Sequence, residues 1–319
     1  MFFKNALMYR FTRNIDFGNL ELLLEDFKFS ACGAHDKQQF GWVTPFGKHG
    51  TSFIHASGNN VLVAAQLETR EVPAQVIKDA LAARVEAAEL QEGRKLKKVE
   101  KDAIKDAVVT DLLPRAFSKY KRSYALIMLD LGVIVVDAAS WNGAEALLAL
   151  LRKTIGSLPV VPVTPKVPLE LKMTNWVKDD VMPEGFTIDD SCLELKAILE
   201  SGGIIRCKDQ DHKSDEVKSH IAADKLVTKM SIDWQDRIYF NFSDDMRLSA
   251  IKWADELKEQ NADMDRESEA QRLDADFTLM YGEFASLIPQ LFEAVGGIEG
   301  NGDLVSDQES KSEEGEKDA

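Results

Sequence analysis

The most constraining stretch of the chain runs from Arg94 to Arg122, RKLKKVEKDAIKDAVVTDLLPRAFSKYKR, because a proline sits inside it. Pro114 has no N–H to donate to a helical ladder, so a helix written upstream must stop there and a different element must follow. Upstream, Ile104, Val108 and Leu112 form an apolar stripe at helical spacing. Arg94, Lys97, Lys98, Lys101 and Lys105 recur at i, i+3, i+4, i+7 and i+11, which predicts one basic face on that helix. Downstream, Arg115, Lys119, Lys121 and Arg122 continue the basic run with Phe117 and Tyr120 interleaved, and lead into a strand. With Lys95 included, the stretch holds ten Lys or Arg against four acids, in a chain whose formal net charge is −15.

The plain reading of such a helix is a solvated face with ion pairs one turn apart, and Asp102 and Asp106 are spaced for that. The one-signed excess and its continuation past Pro114 favour a polyanion partner instead. Lys and Arg facing phosphates supply affinity without sequence preference, through counterion release. Phe117 and Tyr120 read as interface or wedge residues. A smaller basic set, Arg206, Lys208, Lys213, Lys218, Lys225 and Lys229, is diluted by neighbouring acids.

Around this stretch the pattern predicts an α+β chain. A strand opens at Leu7, Tyr9 and Phe11, and a helix through Leu20, Leu23, Leu24 and Phe27 follows a cap at Asn14 or Asp16. Residues 30–51 read as a long loop. Ser52–Ala56 and Val61–Leu67 read as a hairpin turning at Ser57–Asn60. Helical spacing runs from Val76 to Leu113, with Gly93 as a break. Ser123–Leu129 and Val133–Asp137 read as strands turning at Leu131-Gly132, then a helix over Ala144–Ile155 and a strand over Leu158–Val163. The β-α-β-β first unit and β-β-α-β second unit fit a single sheet. Pro159, Pro162, Pro165 and Pro168 mark a boundary before an α+β module of residues 170–253. Its strands are expected at Gly203–Lys208, Lys225–Asp233, Arg237–Phe242 and Leu248–Trp253, with a helix near Ser214–Ala222. A long helix from about Ala254 to Val295 begins acidic and ends apolar. The acidic tail after it, nearly free of large apolar residues, is expected to be disordered.

Catalytic chemistry finds no foothold in the sequence. It contains neither a phosphate-cradling G-x-x-x-x-G-K-[ST] loop nor a G-x-G-x-x-G after a strand, so no cofactor is expected. The five histidines do not pair at ligand spacing on a common element, Cys32 with His35 leaves a metal short of ligands, and Asp244-Asp245 reads as a turn. No metal site is therefore expected. Three widely spaced cysteines fit a reducing compartment and hence the cytoplasm. No apolar run approaches the roughly 20 residues that span a bilayer.

The motifs GWVTPFG, RKLKKVEKD, LLPRAFSKY, ALLRKTIGSLPVVP, TNWV, GGIIRCKDQD, VTKMSIDWQDRI, DELKEQN and LDADFTLMYGE, in that order, resemble the recombination-associated RdgC family of proteobacteria over residues 1–298. The resemblance implies crescent-shaped subunits that form a ring-shaped homodimer around double-stranded DNA. The ring would bind with little sequence preference, limit RecA-mediated recombination and sit with the nucleoid. It implies a central antiparallel β-sheet domain (1–74, 114–170 and 271–298), a helical base (75–113), a tip α+β module (171–270) and a tail (299–319). It places DNA-contacting roles on Arg94 in RKLKK, Lys208 and Gln210 in RCKDQD, and Lys225 in DKLVTK, and carries Phe117 in PRAF across as a functional position. An acid at Asp209 would weaken a phosphate contact there. The alternative is a non-enzymatic, acidic interaction protein that binds a recombination protein directly, its acidic stretch 255–276 and tail imitating DNA.

Overall fold

The computed structural model describes residues 2–199, 202–259 and 269–300. The acidic tail from residue 301 onward, predicted disordered, lies outside the described residues.

The first sheet is assembled from both halves of the N-terminal region. Its elements are β1 (Leu7–Phe11), α1 (Leu20–Asp26), β2 (Gln38–Val43), β3 (Ile54–Ser57), β4 (Asn60–Glu71), α2 (Ala74–Glu92), α3 (Lys98–Leu112), β5 (Phe117–Met128), β6 (Val133–Asp137), α4 (Trp141–Ile155) and β7 (Val160–Pro162). The strand order is β2-β4-β5-β6-β1-β7, with β3 also on β4 and every pairing antiparallel. The β3–β4 hairpin turns where its sequence predicts, with Gly58 at φ 57°. β2 lies inside the segment expected to be loop. Gly41 explains how it fits: a Cβ there would sit 2.6 Å from the Phe29 backbone, so only glycine lets the two segments approach.

The second sheet follows α5 (Leu169–Asp179). It comprises β8 (Phe186–Ala197), β9 (Ile204–Cys207), β10 (Lys225–Trp234), β11 (Ile238–Ser243) and β12 (Leu248–Trp253), with α6 (Asp215–Ala222) between β9 and β10. The order is β12-β11-β10-β8-β9. α5 and β8 are absent from the sequence expectation, whereas the other strands and α6 fall close to their expected places. Asp244 and Asp245 form the β11–β12 turn, where Asp245 accepts a hydrogen bond from Trp141 Nε1 at 2.8 Å. Of the long acidic helix, α7 (Asp255–Glu259) and α8 (Glu269–Ala294) are described, and residues 260–268 lie outside the described residues.

Alternation along the strands divides the apolar side chains between two cores. One face of the first sheet buries Tyr9, Val63, Ala125 and Ile134 against Leu20 and Leu24 of α1 and Leu147 and Leu151 of α4. The other face buries Met8, Leu62, Leu126 and Val135 in a cluster that continues through α8 into Trp234, Phe240 and Phe242 of the second sheet. Phe284 of α8 is fully buried there, its ring 6.0 Å from Phe3 and 5.2 Å from Trp253. Backbone bonds join the sheets as well: Ala6 bridges Leu248, and Ile251 N–H donates to the Lys4 carbonyl at 2.9 Å. Glu283 of α8 pairs with Arg237, fixing the helix to the second sheet. No helix among the described residues is long and apolar enough to cross a membrane.

Candidate nucleic-acid interface

The basic stretch is two structures, as Pro114 requires, but the first differs from expectation. Gly93 takes the left-handed conformation at φ 66° and ends α2, and the chain then runs extended to Lys97 before α3 begins at Lys98. Arg94, Lys95 and Lys97 therefore lie in the loop between the helices, and only Lys98, Lys101 and Lys105 ride on α3. The predicted five-residue basic helix face is a loop plus a shorter stripe. The physical reason is Gly93: its positive φ stops one helix, and the next needs several residues to turn back.

The loop is held by acids. The Arg94 guanidinium donates to both carboxylate oxygens of Glu100, at 2.6 and 3.0 Å, and reaches Glu92 at 2.6 Å. Glu89 accepts from Lys95 Nζ at 2.7 Å and from the Leu96 N–H at 3.0 Å, with Lys101 Nζ at 3.1 Å. Glu100 also accepts from the Lys97 N–H at 2.7 Å, at the start of α3. These bonds hold both carboxyls at about 2, Glu89 chiefly through Lys95 and Glu100 chiefly through Arg94. Both values lie below the ordinary 4.5, so the tether is complete above about pH 4.5 and is lost as pH falls toward 2. Amide NMR of Leu96 and Lys97 should be nearly unchanged from pH 7 to about 3.5 and titrate with a midpoint near 2; a midpoint near the ordinary 4.5 would mean the carboxylates do not hold the loop.

The second structure is a ribbon. β4 and β5 stay paired over their full length, from Asn60↔Met128 to Glu71↔Phe117, and the Phe117–Arg122 half of β5 is exposed. Phe117 is 87% exposed and Tyr120 55%, the latter with its ring 6.4 Å edge-on to Phe29. The ribbon is shaped from beneath by Glu68, which is buried. It accepts from Ser118 Oγ at 2.5 Å and from the Cys32 N–H at 2.8 Å, and these two bonds hold its carboxyl below the usual range. Arg70 adds bonds to the Cys32, Ala34 and Leu113 carbonyls. Lys119 meets Glu71 only at 3.8 Å, and Arg122 donates to Gln66. Among the described residues no acid lies within ion-pairing distance of Arg115, Lys121, Arg122, Lys97, Lys98 or Lys105.

α2 and α3 pack on each other between the ends of β4 and β5. No residue of α2 is buried and only Val108 of α3 is, while Leu90 and Val99 near the loop are 85% and 78% exposed. The loop is thus separated from the ribbon by the length of a 19-residue helix, about 28 Å.

The remaining candidates lie on the second sheet. Lys208 follows β9, Asp209 is left-handed at φ 52°, and Lys225 opens β10. Gln210 donates its N–H to the Asp190 carbonyl at 3.2 Å and its side chain to Ser214 Oγ at 3.3 Å. Lys208 shares an open groove of about 730 Å³ with Arg206, Lys229, Tyr239 and Lys252. Lys252 was not singled out in the sequence; strand alternation puts it on the same face as Tyr239, with which it pairs. Close by, Asp190, Asp211 and His212 converge to spacing that could hold a metal ion. His212 is buried, and its two ring nitrogens already face Asp190 at 2.7 Å and Asp180 at 3.1 Å, so an ion would have to displace a carboxylate partner. The 20 residues between Asp190 and Asp211 hid this grouping from spacing arguments. Within one chain, then, the loop, the ribbon and the second-sheet residues form three separate basic places.

A protein-family model described as "Putative exonuclease, RdgC" matches residues 1–298. The chain is 48% identical over 299 residues to the recombination-associated protein RdgC of Psychromonas ingrahamii, covering 93% of this chain and 99% of that one. It is similarly 48% identical to proteins of the same name from Serratia proteamaculans and Yersinia pestis, covering 98% of each.

Proposed function

Because the chain belongs to the RdgC family, we propose that it is a recombination-associated, non-enzymatic DNA-binding protein. Two crescent-shaped copies form a ring-shaped homodimer that encircles double-stranded DNA without sequence preference and limits RecA-mediated recombination. The observation that carries this reading is the exposed ribbon Arg115–Arg122, whose cations have no acidic partner among the described residues apart from the distant Glu71 contact. The loop residues Arg94, Lys95 and Lys97, the α3 residues Lys98, Lys101 and Lys105, and the second-sheet residues Lys208, Gln210 and Lys225 extend the lining. Phe117 and Tyr120 serve as interface or wedge. In this reading residues 1–74, 114–170 and 271–298 are the central domain, 75–113 the base and 171–270 the tip. Three separated basic places on an acidic chain suit a closed ring, because a ring needs cations only on its lining. DNA held inside is out of reach of a recombinase filament, and the work would be done in the cytoplasm, at the nucleoid.

The test compares mobility shifts on linear and closed-circular duplexes of one sequence at two salt concentrations. The complex should persist on circles and slide from linear ends as salt rises. Equal salt sensitivity on both would overturn encirclement. The net charge of −15 favours a second reading, an acidic DNA mimic that binds a recombination protein directly. Capture of that protein would then survive nuclease treatment, which the ring reading does not allow.

A further inference from the structure

β8 leaves its ladder where β10 advances one residue, from Met230 to Ser231, while the partners on β8 step from Leu193 to Asp189. Asp190, Ser191 and Cys192 therefore stand out as a bulge, and Asp190 meets the segment between β9 and α6. One Asp190 oxygen accepts from the His212 N–H at 3.0 Å and faces His212 Nδ1 at 2.7 Å, while its carbonyl accepts from the Gln210 N–H. Asp211 completes the group. One oxygen of each aspartate and one ring nitrogen of His212 lie within 4.8 Å of one another, the only such group among the described residues. We propose that Asp190, Asp211 and His212 bind a first-row divalent metal ion such as Zn2+, with water completing its shell, and that the ion ties the 208–214 segment to β8.

The far side of the ring supports this assignment. A ligating histidine characteristically donates its other N–H to a carboxylate, which fixes the tautomer and the ring orientation. His212 is buried, and its Nε2 faces Asp180 at 3.1 Å. Asp180 is itself held by Lys213 Nζ at 2.7 Å, at the end of α5. Both ring nitrogens can donate at once only as imidazolium, whereas a metal ion takes the Nδ1 lone pair and leaves Nε2–H for Asp180. Asp190 is then the partner displaced, exchanging its hydrogen bond for a metal bond. Ligand atoms about 2.0–2.2 Å from a shared ion stand about 3.0–3.5 Å apart, so Asp190 draws back by only about 0.3–0.8 Å.

Charge and donor type point the same way. Asp180 first, then Asp211 and Asp190, raise the pKa of the Lys213 ammonium, so three carboxylates gather on one lysine and one imidazole. A divalent cation offsets that anionic surplus. An imidazole nitrogen among the donors suits Zn2+, Co2+ or Mn2+ better than Mg2+, which prefers oxygen and keeps its water.

The 208–214 segment carries Lys208 and Gln210, so an ion would hold two residues of the proposed DNA lining in place. That consequence rests on the DNA-binding reading; the metal site does not. The test is calorimetric titration of chelator-stripped, full-length protein with ZnCl2, and visible absorption with CoCl2, both without DNA. A single ion per chain should bind, Co2+ more tightly than Mn2+, with excess Mg2+ having no effect. Asp211→Asn should weaken binding about tenfold or more and leave the fold intact. The one side-chain hydrogen bond of Asp211 among the described residues, accepted from the Lys213 N–H at 2.8 Å, is open to the amide oxygen too. Asp180→Asn, at a left-handed φ of 55° that asparagine tolerates, should weaken it about 10–100-fold through the ring's far nitrogen. Absence of Zn2+ binding at micromolar concentrations, equal competition by Mg2+, a sulfur-to-cobalt charge-transfer band, or full-strength binding by Asp211→Asn would overturn the proposal. Metal binding as expected, with no duplex binding by loaded or stripped protein, would leave the site standing and remove the DNA-binding reading.

Discussion

Reversing three ribbon charges together, Lys119→Glu, Lys121→Glu and Arg122→Glu, should weaken duplex binding by about two orders of magnitude at physiological salt. Each phosphate contact contributes about 0.9 to the slope of log K against log salt, so losing three lowers that slope by about 2.7 and costs about 10²-fold at 0.15 M. The loss should be the same for unrelated sequences, because phosphate contacts position without specifying. All three side chains project from the exposed half of β5, so thermal stability should be preserved. The matching triple at the loop, Arg94→Glu, Lys97→Glu and Lys101→Glu, should cost less, about tenfold. Arg94 and Lys101 already hold carboxylates, and only part of their charge is available to phosphate. Quantitative mobility shifts across a salt series decide between them. If the loop triple is the more damaging, the main contact lies at the helical hairpin and the ribbon is secondary.

The second large effect concerns the core. Phe284→Ala should destabilise the protein by about 3–5 kcal/mol, the range for removing a buried phenylalanine whose site cannot collapse. The ring sits on α8 between Phe3 of the N-terminal segment and Trp253 of the second sheet, so truncation opens a void shared by both sheets. Chemical denaturation followed by tryptophan fluorescence reads both at once, since Trp42 is in the first sheet and Trp234 and Trp253 in the second. The expected outcome is one transition moved to lower denaturant. A split into two transitions, with only one shifted, would show that α8 does not couple the sheets.

What the sequence revealed follows from where local rules govern the chain. The β3–β4 hairpin was legible because alternation and a Gly-Asn turn agree, and the α2 break because Gly93 has no competing role. β2 was not. Its Gln38-Gln39-Phe40-Gly41 run looks like loop, and it becomes a strand because β4 offers a pairing edge and Gly41 permits the approach to Phe29. β8 hid behind Asp189, Asp190 and Ser191, polar residues at the place where its pairing with β10 shifts register between Met230 and Ser231 and the alternation is broken. The basic periodicity from Arg94 was genuine arithmetic on a false premise. It assumed a helix through four residues that instead form the turn, and the spacing survives only from Lys98 onward. Neither the Glu89 and Glu100 clamps nor the Glu68 support for the ribbon could be read locally, since the first depends on a hairpin closing and the second on residues about 36 and 50 positions apart.

The unbroken pairing of β4 with β5 has a further consequence. Its terminal pair, Glu71↔Phe117, would be completed by a two-residue turn as well as by the 45 residues that join it here. Lengthening such a connection costs little, because closure entropy grows only with the logarithm of its length. The α2–α3 hairpin is therefore an insertion that the sheet tolerates without needing, and each added or deleted helical turn would move its charged end by about 5.4 Å. Lineages could tune the distance between ribbon and loop by whole turns, leaving every buried contact of the sheet in place.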